Sequence, residues 1–217
     1  MSGSPELPQV VLFDLFGVIA RHQSTEGKDR LARTAEVPAP AFWDAYWARR
    51  QPYDRGELTG PAYWRQVADT LAVRFDERRI AELVEADVAS WSAVDGTMVA
   101  LVEELAASGR RIALLSNIPE ELATYYETHH HWLKRFPLRA FSCRIGHAKP
   151  EPGAYQWCLD ALSAAPDRVL FVDDREENIH AAEATGIRGH LFTTPARLRE
   201  ALWATGLNAV GRSDKPR

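Results

Sequence analysis

The sequence predicts an α/β fold, a Rossmann-like doubly wound parallel sheet into which an α-helical segment is inserted. Two observations lead to this prediction. From about residue 92 onward, short apolar runs alternate with helical patterns, as in parallel sheets covered by helices on both faces. Between residues 21 and 91 the pattern is helical, without a strand-like run. The length of 217 residues fits one core domain with one sizeable insertion.

The first strand is predicted at residues 10–13, because four consecutive apolar residues suit a strand buried on both faces of a parallel sheet. The inserted segment then contains three predicted helices. Residues 41–50 are rich in aromatic side chains, and residues 61–73 begin with a proline at a first-turn position. Residues 76–90 carry apolar side chains at helical spacing.

The rest of the chain alternates between helices and strands. Helices are predicted at residues 97–108, from about 119, at 153–162, up to Gly186 and at 195–204, and strands at residues 112–115, about 140–143, 169–172 and about 190–193. Residues 8–20 and 92–206 would then form the α/β core and residues 21–91 a helical cap. Residues 1–7 and 207–217 would be loose tails.

The composition argues against several partners. A formal net charge of −4 predicts no general attraction to nucleic acid or to an anionic membrane. No apolar stretch reaches membrane-spanning length, and the first residues lack the pattern of a signal peptide. Cys143 and Cys158 form no metal or redox motif, which suits reduced thiols and a cytoplasmic protein. We expect a monomer or a homodimer.

Polar residues follow the predicted strands at the edge where open parallel sheets bind ligands. Asp14 follows the first strand, and Ser116 and Asn117 follow the second. Lys149 lies in the loop after the third strand, and the pair Asp173–Asp174 follows the fourth. A carboxylate can attack phosphorus or carbon and form a covalent intermediate. Paired carboxylates can hold Mg²⁺, while a lysine and a hydroxyl can bind phosphoryl oxygens.

Four segments resemble, in order, the four motifs of the haloacid dehalogenase-like (HAD) superfamily. They are Phe-Asp-Leu-Phe-Gly-Val at residues 13–18, Leu-Ser-Asn at 115–117, Lys-Pro at 149–150 and Val-Asp-Asp at 172–174. The helical segment after the first motif resembles the cap of subfamily I, in the variant with an Asp-Asp fourth motif. Each motif alone is weakly specific, but four in this order and strand context are strongly so.

The resemblance implies a role for each of these positions. Asp14 would be the nucleophile and a Mg²⁺ ligand, the backbone carbonyl of Phe16 a second ligand, and Asp174 a third. Asp173 would be a ligand or would orient the lysine. Phosphate would be bound by Ser116, Asn117 and Lys149. The implied activity is Mg²⁺-dependent hydrolysis of a small phosphorylated metabolite, such as a sugar phosphate, through an aspartyl-phosphate on Asp14.

Phe16 departs from the pattern of the family's phosphatases, which carry a second aspartate at this position as proton donor and base. Losing such a group costs about 10²–10⁴ in rate. One interpretation is a phosphatase whose substrate has a good leaving group or whose cap supplies the acid. A second is a 2-haloacid dehalogenase-type hydrolase, since displacing halide needs no acid, although those enzymes need no metal. A third is a catalytically impaired phosphate-binding protein.

Cap residues are the candidates for the missing acid and for substrate contacts. Arg21, His22, Tyr53 and Arg55 could supply a proton or guide an anion, and only His22 titrates near neutral pH. The cap is also rich in aromatic residues, of which Trp43 and Trp47 share a helix face. Such a face is more often part of the cap's own core. Caps in this family close over the site, so Trp47 is also a candidate for the pocket lining.

Overall fold

The computed structural model describes residues 8–204. Within that range the structure contains one parallel sheet of five strands, ordered β3-β2-β1-β4-β5. The strands are β1 (Val10–Phe13), β2 (Arg111–Ser116), β3 (Leu138–Phe141), β4 (Val169–Asp173) and β5 (Arg188–Leu191). The predicted α/β class with a Rossmann-like parallel sheet is therefore confirmed.

Strand β1 lies at the centre of the sheet and is buried on both faces, as its unbroken apolar sequence requires. Alternate side chains point to opposite faces. Val11 and Phe13 belong to one core cluster, while Val10 and Leu12 belong to another on the opposite side. Each face of the sheet is covered by helices, which bury these apolar side chains and fix the sheet between two layers.

The helices of the α/β core account for both layers. They are α6 (Gly96–Ala107), α7 (Glu120–His129), α8 (Ser142–Ile145), α9 (Pro152–Leu162), α10 (Glu176–Ala184) and α11 (Pro195–Ala204), with 3₁₀ turns at His131–Arg135 and Pro166–Arg168. Apolar residues of α6, α7 and α11 pack on the face that carries Phe13, and those of α9 and α10 pack on the other. None of the helices in the described range is long and apolar enough to cross a membrane.

Five helices separate β1 from α6, and we call them the helical insert. They are α1 (Thr25–Ala35), α2 (Ala39–Ala48), α3 (Arg50–Asp54), α4 (Gly60–Thr70) and α5 (Glu77–Ser90). Their apolar residues form a core of their own, which includes Leu31, Phe42, Trp64 and Leu83. The side chains of Ser24, Thr59 and Asp76 accept hydrogen bonds from the first turns of α1, α4 and α5 and so define where these helices begin.

Several predicted element boundaries were wrong by about two residues. Strand β3 ends at Phe141 rather than at residue 143, because Ser142 begins α8 and its hydroxyl accepts a hydrogen bond from the Ile118 N–H at 2.8 Å. Strand β5 begins at Arg188 rather than at residue 190, because it pairs with β4 from Leu170 onward. The predicted helix 41–50 is also two helices, α2 and α3, that meet at Arg49. The predicted tails lie outside the described residues.

A buried ionic network joins three helices of the insert. The Arg50 guanidinium, whose side chain is 7% exposed, forms ion pairs with Asp54 at 2.8 Å and with Asp87 at 3.0 Å. The Tyr46 hydroxyl donates to Asp87 at 2.7 Å and also accepts a hydrogen bond from Arg50. Helices α2, α3 and α5 are thereby fixed to one another by charged groups within an otherwise apolar core.

Replacing Arg50 with methionine should lower the free energy of unfolding by about 3–5 kcal/mol. The methionine keeps most of the apolar volume, but Asp87 and Asp54 lose their counter-charge while buried. Chemical denaturation of both proteins measures the difference. Arg78→Met is the matched control, since Arg78 is 85% exposed and pairs with Glu82 only across one helical turn. It should change stability by no more than about 0.5 kcal/mol. Equal losses in both variants would contradict a structural role of the buried network.

Candidate active site

The candidate site lies at the carboxyl ends of β1 and β4, where the order of the strands reverses. From β1 the chain passes outward through β2 to β3, and β4 then returns to the other side of β1. Ligands of open parallel sheets bind at such a reversal. Asp14 directly follows β1, and its N–H donates to the Val172 carbonyl of β4 at 2.8 Å. The sheet pairing thus places Asp14 beside Asp173 and Asp174.

Lys149 joins two of these carboxylates. Its Nζ lies 2.6 Å from Oδ1 of Asp14 and 2.7 Å from Oδ2 of Asp173, and all three side chains are buried. The backbone of Lys149 is held by the side chain of Asn117. The Asn117 amide donates to the Lys149 carbonyl at 2.7 Å, and its oxygen accepts from the Lys149 N–H at 2.8 Å. Asn117 therefore positions the lysine loop against the end of β2.

The two carboxylates that share Lys149 differ in their electrostatics. Burial raises the pKa of Asp14 to about 7, although Lys149 and the Leu15 N–H oppose this shift. Burial also acts to raise the pKa of Asp173. There, however, Lys149, the Asn178 amide and the Arg175 N–H stabilise the anion and lower the pKa below its usual value. Asp173 is thus a fixed anion, and Asp14 is the less stabilised of the two.

Lys149 itself remains a cation in this environment. Burial acts to lower the pKa of its ammonium group, but Asp14 and Asp173 outweigh that effect and raise the pKa above its ordinary value. A protonated lysine beside a less stabilised carboxylate can bind an anion and neutralise charge that develops there.

Asp14, Asp173 and Asp174 each have a carboxylate oxygen within 4.8 Å of the others. Both oxygens of Asp173 already accept hydrogen bonds, from Lys149, Asn178 and the Arg175 N–H. Oδ1 of Asp174 is instead buried without a hydrogen-bond partner among the described residues. Leaving a carboxylate oxygen buried and unpaired is costly unless a cation binds it. Asp14 and Asp174 therefore fit a Mg²⁺ site, whereas Asp173 is arranged to orient Lys149.

Gly17 allows the loop after β1 to pass close to Asp174. Its φ angle is +85°, which favours glycine, and an added Cβ would collide with the Asp174 carboxylate and approach Nε2 of His22. That His22 nitrogen lies 2.8 Å from Oδ2 of Asp174, and the interaction with Asp174 raises the pKa of His22. Phe16 lies just before Gly17, with its ring edge-to-face against Trp91 and Tyr126 at centroid distances of 5.0 and 5.8 Å.

A cavity of about 410 Å³ opens above these groups. It is lined by Asp14, Phe16, His22, Trp47, Arg50, Asp54, Trp91, Asn117, Lys149, Asp174, Arg175 and Asn178. The sheet edge supplies its charged floor, and the helical insert contributes Trp47, Arg50 and Asp54. Ser116 is not among the lining residues. Its hydroxyl is buried at the end of β2 and has no hydrogen-bond partner among the described residues.

Three residues proposed as cap contacts do not line this cavity. Tyr53 is buried and its hydroxyl donates to Glu121 at 2.9 Å, which ties the helical insert to α7. Arg55 forms ion pairs with Glu57 and Glu151. The side chain of Arg21 is largely exposed and lies 3.9 Å from Asp95. His22 and Trp47, in contrast, both face the cavity.

Five residues of the lining were not predicted from the sequence: Arg50, Asp54, Trp91, Arg175 and Asn178. A signal existed for Asn178, which follows Asp173 by five residues and so lies in the first turns of α10, near the end of β4. No comparable signal marked Arg50 or Trp91, because their positions depend on how the helical insert packs on the core.

A family model described as haloacid dehalogenase-like hydrolase matches residues 8–186 of this chain. The chain belongs to that family. Its curated relatives include bifunctional epoxide hydrolase 2 of Mus musculus, 41% identical over 34% of this chain but only 13% of that protein. The sesquiterpene phosphatase astK of Aspergillus oryzae is 32% identical over 49% of this chain and 55% of that protein. A phosphoglycolate phosphatase of Cereibacter sphaeroides is 29% identical over 65% and 70%.

Solved structures share the HAD fold. The HAD family enzyme bt-2542 of Bacteroides thetaiotaomicron, in complex with magnesium and inorganic phosphate, has a TM-score of 0.71 at 16% identity. The match covers 86% of this chain and 94% of that one. An L-2-haloacid dehalogenase of Xanthobacter autotrophicus with chloropropionic acid covalently bound has a TM-score of 0.66 at 17% identity, over 93% and 85% of the two chains.

Mg²⁺ should raise the melting temperature of this protein, and Asp14→Asn should abolish most of that increase. At a concentration of about 100 times its dissociation constant, a ligand stabilises the folded state by roughly 2.7 kcal/mol, or about 5–10 °C for a chain of this size. Thermal unfolding with and without Mg²⁺ measures the shift. Because the pKa of Asp14 is raised to about 7, protons compete with the metal, and the shift should decrease as the pH falls below 7.

Asp160→Asn is the control for this measurement. Asp160 is exposed on α9, where its carboxylate accepts a hydrogen bond from Gln156. This variant should keep the full Mg²⁺ shift. An equal shift in the Asp14→Asn variant and in the wild type would place the metal elsewhere.

Proposed function

We propose that this chain is a Mg²⁺-dependent phosphatase that hydrolyses small phosphate monoesters through an aspartyl-phosphate on Asp14. One observation carries the proposal. The buried Asp14 carboxylate, whose pKa is raised, shares the buried Lys149 with Asp173. The Asp174 carboxylate beside them has an oxygen without a hydrogen-bond partner among the described residues. Nucleophile, anion-binding cation and metal ligand thus lie within one small cavity, whose volume of about 410 Å³ is that of a small-molecule site.

The chain's own residues account for binding and attack. Lys149 and the backbone N–H of Asn117, both in the cavity lining, bind phosphoryl oxygens, whereas the Ser116 hydroxyl is buried outside that lining. A carboxylate oxygen of Asp14 forms a bond to phosphorus while the ester P–O bond breaks and its electron pair leaves with the alcohol oxygen. Water then attacks phosphorus and releases phosphate, which restores the Asp14 carboxylate. Asp173 keeps Lys149 protonated and in place throughout.

Mg²⁺ held by Asp14 and Asp174, with the Phe16 carbonyl as a further ligand, would neutralise negative charge on the phosphoryl oxygens when bound. Relatives support both the metal and the substrate class. The enzyme bt-2542 was crystallised with magnesium and inorganic phosphate, and two of the relatives named above are phosphatases.

We also propose that the helical insert acts as a cap domain, spanning residues 21–91 between the core segments 8–20 and 92–206. Its contribution of Trp47, Arg50 and Asp54 to the cavity supports this role. Caps of this kind exclude water and contact the part of the substrate that does not react.

A second candidate is a dehalogenase-type hydrolase. Phe16 favours it, because an aromatic residue there suits displacement of halide, which needs no proton. The structural likeness to the L-2-haloacid dehalogenase of Xanthobacter autotrophicus is consistent with it, although a likeness at 17% identity concerns the fold alone. The unpartnered oxygen of Asp174 beside Asp14 favours the metal-dependent phosphatase instead.

Turnover of 4-nitrophenyl phosphate tests the main proposal. It should require Mg²⁺, cease with a chelator and fall by at least about 10³-fold in Asp14→Asn, because the nucleophile is lost. Asp160→Asn should retain full activity. The parallel assay is halide release from 2-chloropropionate. Metal-independent halide release without phosphatase activity would replace the proposal with the second candidate, and inactivity in both assays would indicate a phosphate-binding protein.

Replacing Phe16 with aspartate should raise the rate on esters with poor leaving groups, such as ethyl phosphate, by at least tenfold. The new carboxyl group supplies a proton donor, which is worth about 10²–10⁴ in rate. The lost packing against Trp91 and Tyr126 offsets part of this gain. Phe16→Leu, which removes the ring without adding an acid, is the control and should not show the increase. An unchanged rate in a folded Phe16→Asp variant would mean that another group already donates the proton.

A further inference from the structure

One side of the cavity is aromatic. We call Phe16, Trp47 and Trp91 the aromatic wall. Trp91 is its centre, with ring centroids 5.0 Å from Phe16 and 6.4 Å from Trp47, both arranged edge-to-face. Trp47 is 51% exposed, the most exposed large hydrophobic side chain in the part of the chain that the structure describes. A tryptophan that lines a cavity yet remains half exposed offers apolar area that a bound ring can cover.

The charged residues of the cavity favour an organic group without a second negative charge. Three of the described lining residues are Arg or Lys, and each already faces a carboxylate. Arg50 pairs with Asp54 and Asp87, Lys149 with Asp14 and Asp173, and Arg175 with Glu177. The one phosphoryl group can use Lys149. A further carboxylate on the substrate would meet the Asp54 carboxylate and an Arg50 that already has two buried counter-charges, while Arg175 is largely exposed beside Glu177.

Phe16 also restricts the leaving group. Its side chain has no acidic group that could protonate a departing alkoxide. His22 does not replace that group, because its Nε2 is hydrogen-bonded to Oδ2 of Asp174. An aliphatic alcohol is about as weak an acid as water, whereas a phenol is a much stronger acid and resembles tyrosine, with a pKa of about 10. A phenolate therefore leaves without protonation far more readily than an alkoxide.

We propose that the preferred substrates are aryl phosphates, with the aromatic ring of the leaving group packed against the aromatic wall. This inference rests on the proposed phosphatase activity and narrows its substrate class. Asp14 forms its bond to phosphorus as the aryl P–O bond breaks, and the electron pair goes to the phenolic oxygen. The product leaves as a phenolate and takes its proton from bulk water. Phe16, which replaces the acidic residue, thus also forms part of the surface that binds the substrate.

Four esters separate ring binding from leaving-group ability: phenyl, benzyl, ethyl and carboxymethyl phosphate, the last being phosphoglycolate. Benzyl phosphate carries a ring but leaves as an alkoxide. KM should be similar for phenyl and benzyl phosphate and about tenfold lower than for ethyl phosphate, since an aromatic contact is worth about that factor. The kcat/KM, which reports the step that expels the leaving group, should be at least about 10²-fold higher for phenyl than for benzyl phosphate. Phosphoglycolate should have the lowest kcat/KM.

Trp47→Leu tests the aromatic wall, with Trp203→Leu as its matched control. Trp203 is 37% exposed on α11 and contacts Arg199, and it is not among the residues that line the cavity. Trp47→Leu should raise KM for the two aromatic esters about tenfold and so remove their KM advantage over ethyl phosphate. The ratio of kcat/KM between phenyl and benzyl phosphate should stay the same. Trp203→Leu should leave both ratios unchanged.

Two failures are distinguishable. If none of the four esters is hydrolysed with Mg²⁺, the proposed phosphatase activity itself is wrong. If they are hydrolysed but ethyl phosphate or phosphoglycolate equals or exceeds phenyl phosphate in kcat/KM, only the aryl preference is overturned. Equal kcat/KM for phenyl and benzyl phosphate would also overturn it, because a proton donor such as Asp54 would then be acting on the leaving group.

Discussion

The site depends on one buried cation between two buried anions. The ammonium group of Lys149 lies 2.6 Å from Asp14 and 2.7 Å from Asp173, and the three groups carry one net negative charge when both aspartates are ionised. Burying a carboxylate without a partner costs several kcal/mol, so neither aspartate could be held ionised here without the lysine. The lysine, in turn, is protonated because both anions face it.

Much of the surrounding structure serves to keep these charges in place. Asn178 from α10 and the Arg175 N–H hold Asp173, Asn117 holds the backbone of Lys149, and the Leu15 N–H holds Asp14. These groups come from the ends of three strands and from the start of one helix, so the parallel register of the sheet determines their distances. The consequence is an asymmetric pair, in which Asp173 is strongly stabilised as an anion and Asp14 is not. A poorly stabilised carboxylate is the better nucleophile and the better metal ligand.

The sheet and its polar edge could be predicted from the sequence because both follow from local patterns. Buried parallel strands are short apolar runs, and the residues at their carboxyl ends lie at one edge, which brings Asp14 and Asp173 together. Lys149 reaches the same edge from the loop after α8. The insert side of the cavity could be predicted only in part, at His22 and Trp47. Tyr53 and Arg55 were reasonable candidates by composition, but the packing of α3 turns them toward Glu121 and Glu151. The spacing of apolar residues predicts which face of a helix is buried. It does not predict how the whole insert is oriented on the core.

The role of Arg50 could not be predicted from the sequence for the same reason. In the sequence it is one of several arginines near other charges, and an exposed pair such as Arg78–Glu82 has the same appearance. Burial distinguishes them, since it makes Arg50, which lines the cavity, the counter-charge of Asp54 and Asp87. An arginine occupied in this way gives the cavity a rigid wall without offering a free positive charge. The same cavity is lined by Trp47 and Trp91, and by Phe16 at the position where phosphatases of the family carry an acid. Phe16 therefore does more than remove one catalytic group, because the aromatic contacts it makes and the proton it cannot give both favour an apolar, easily departing organic group.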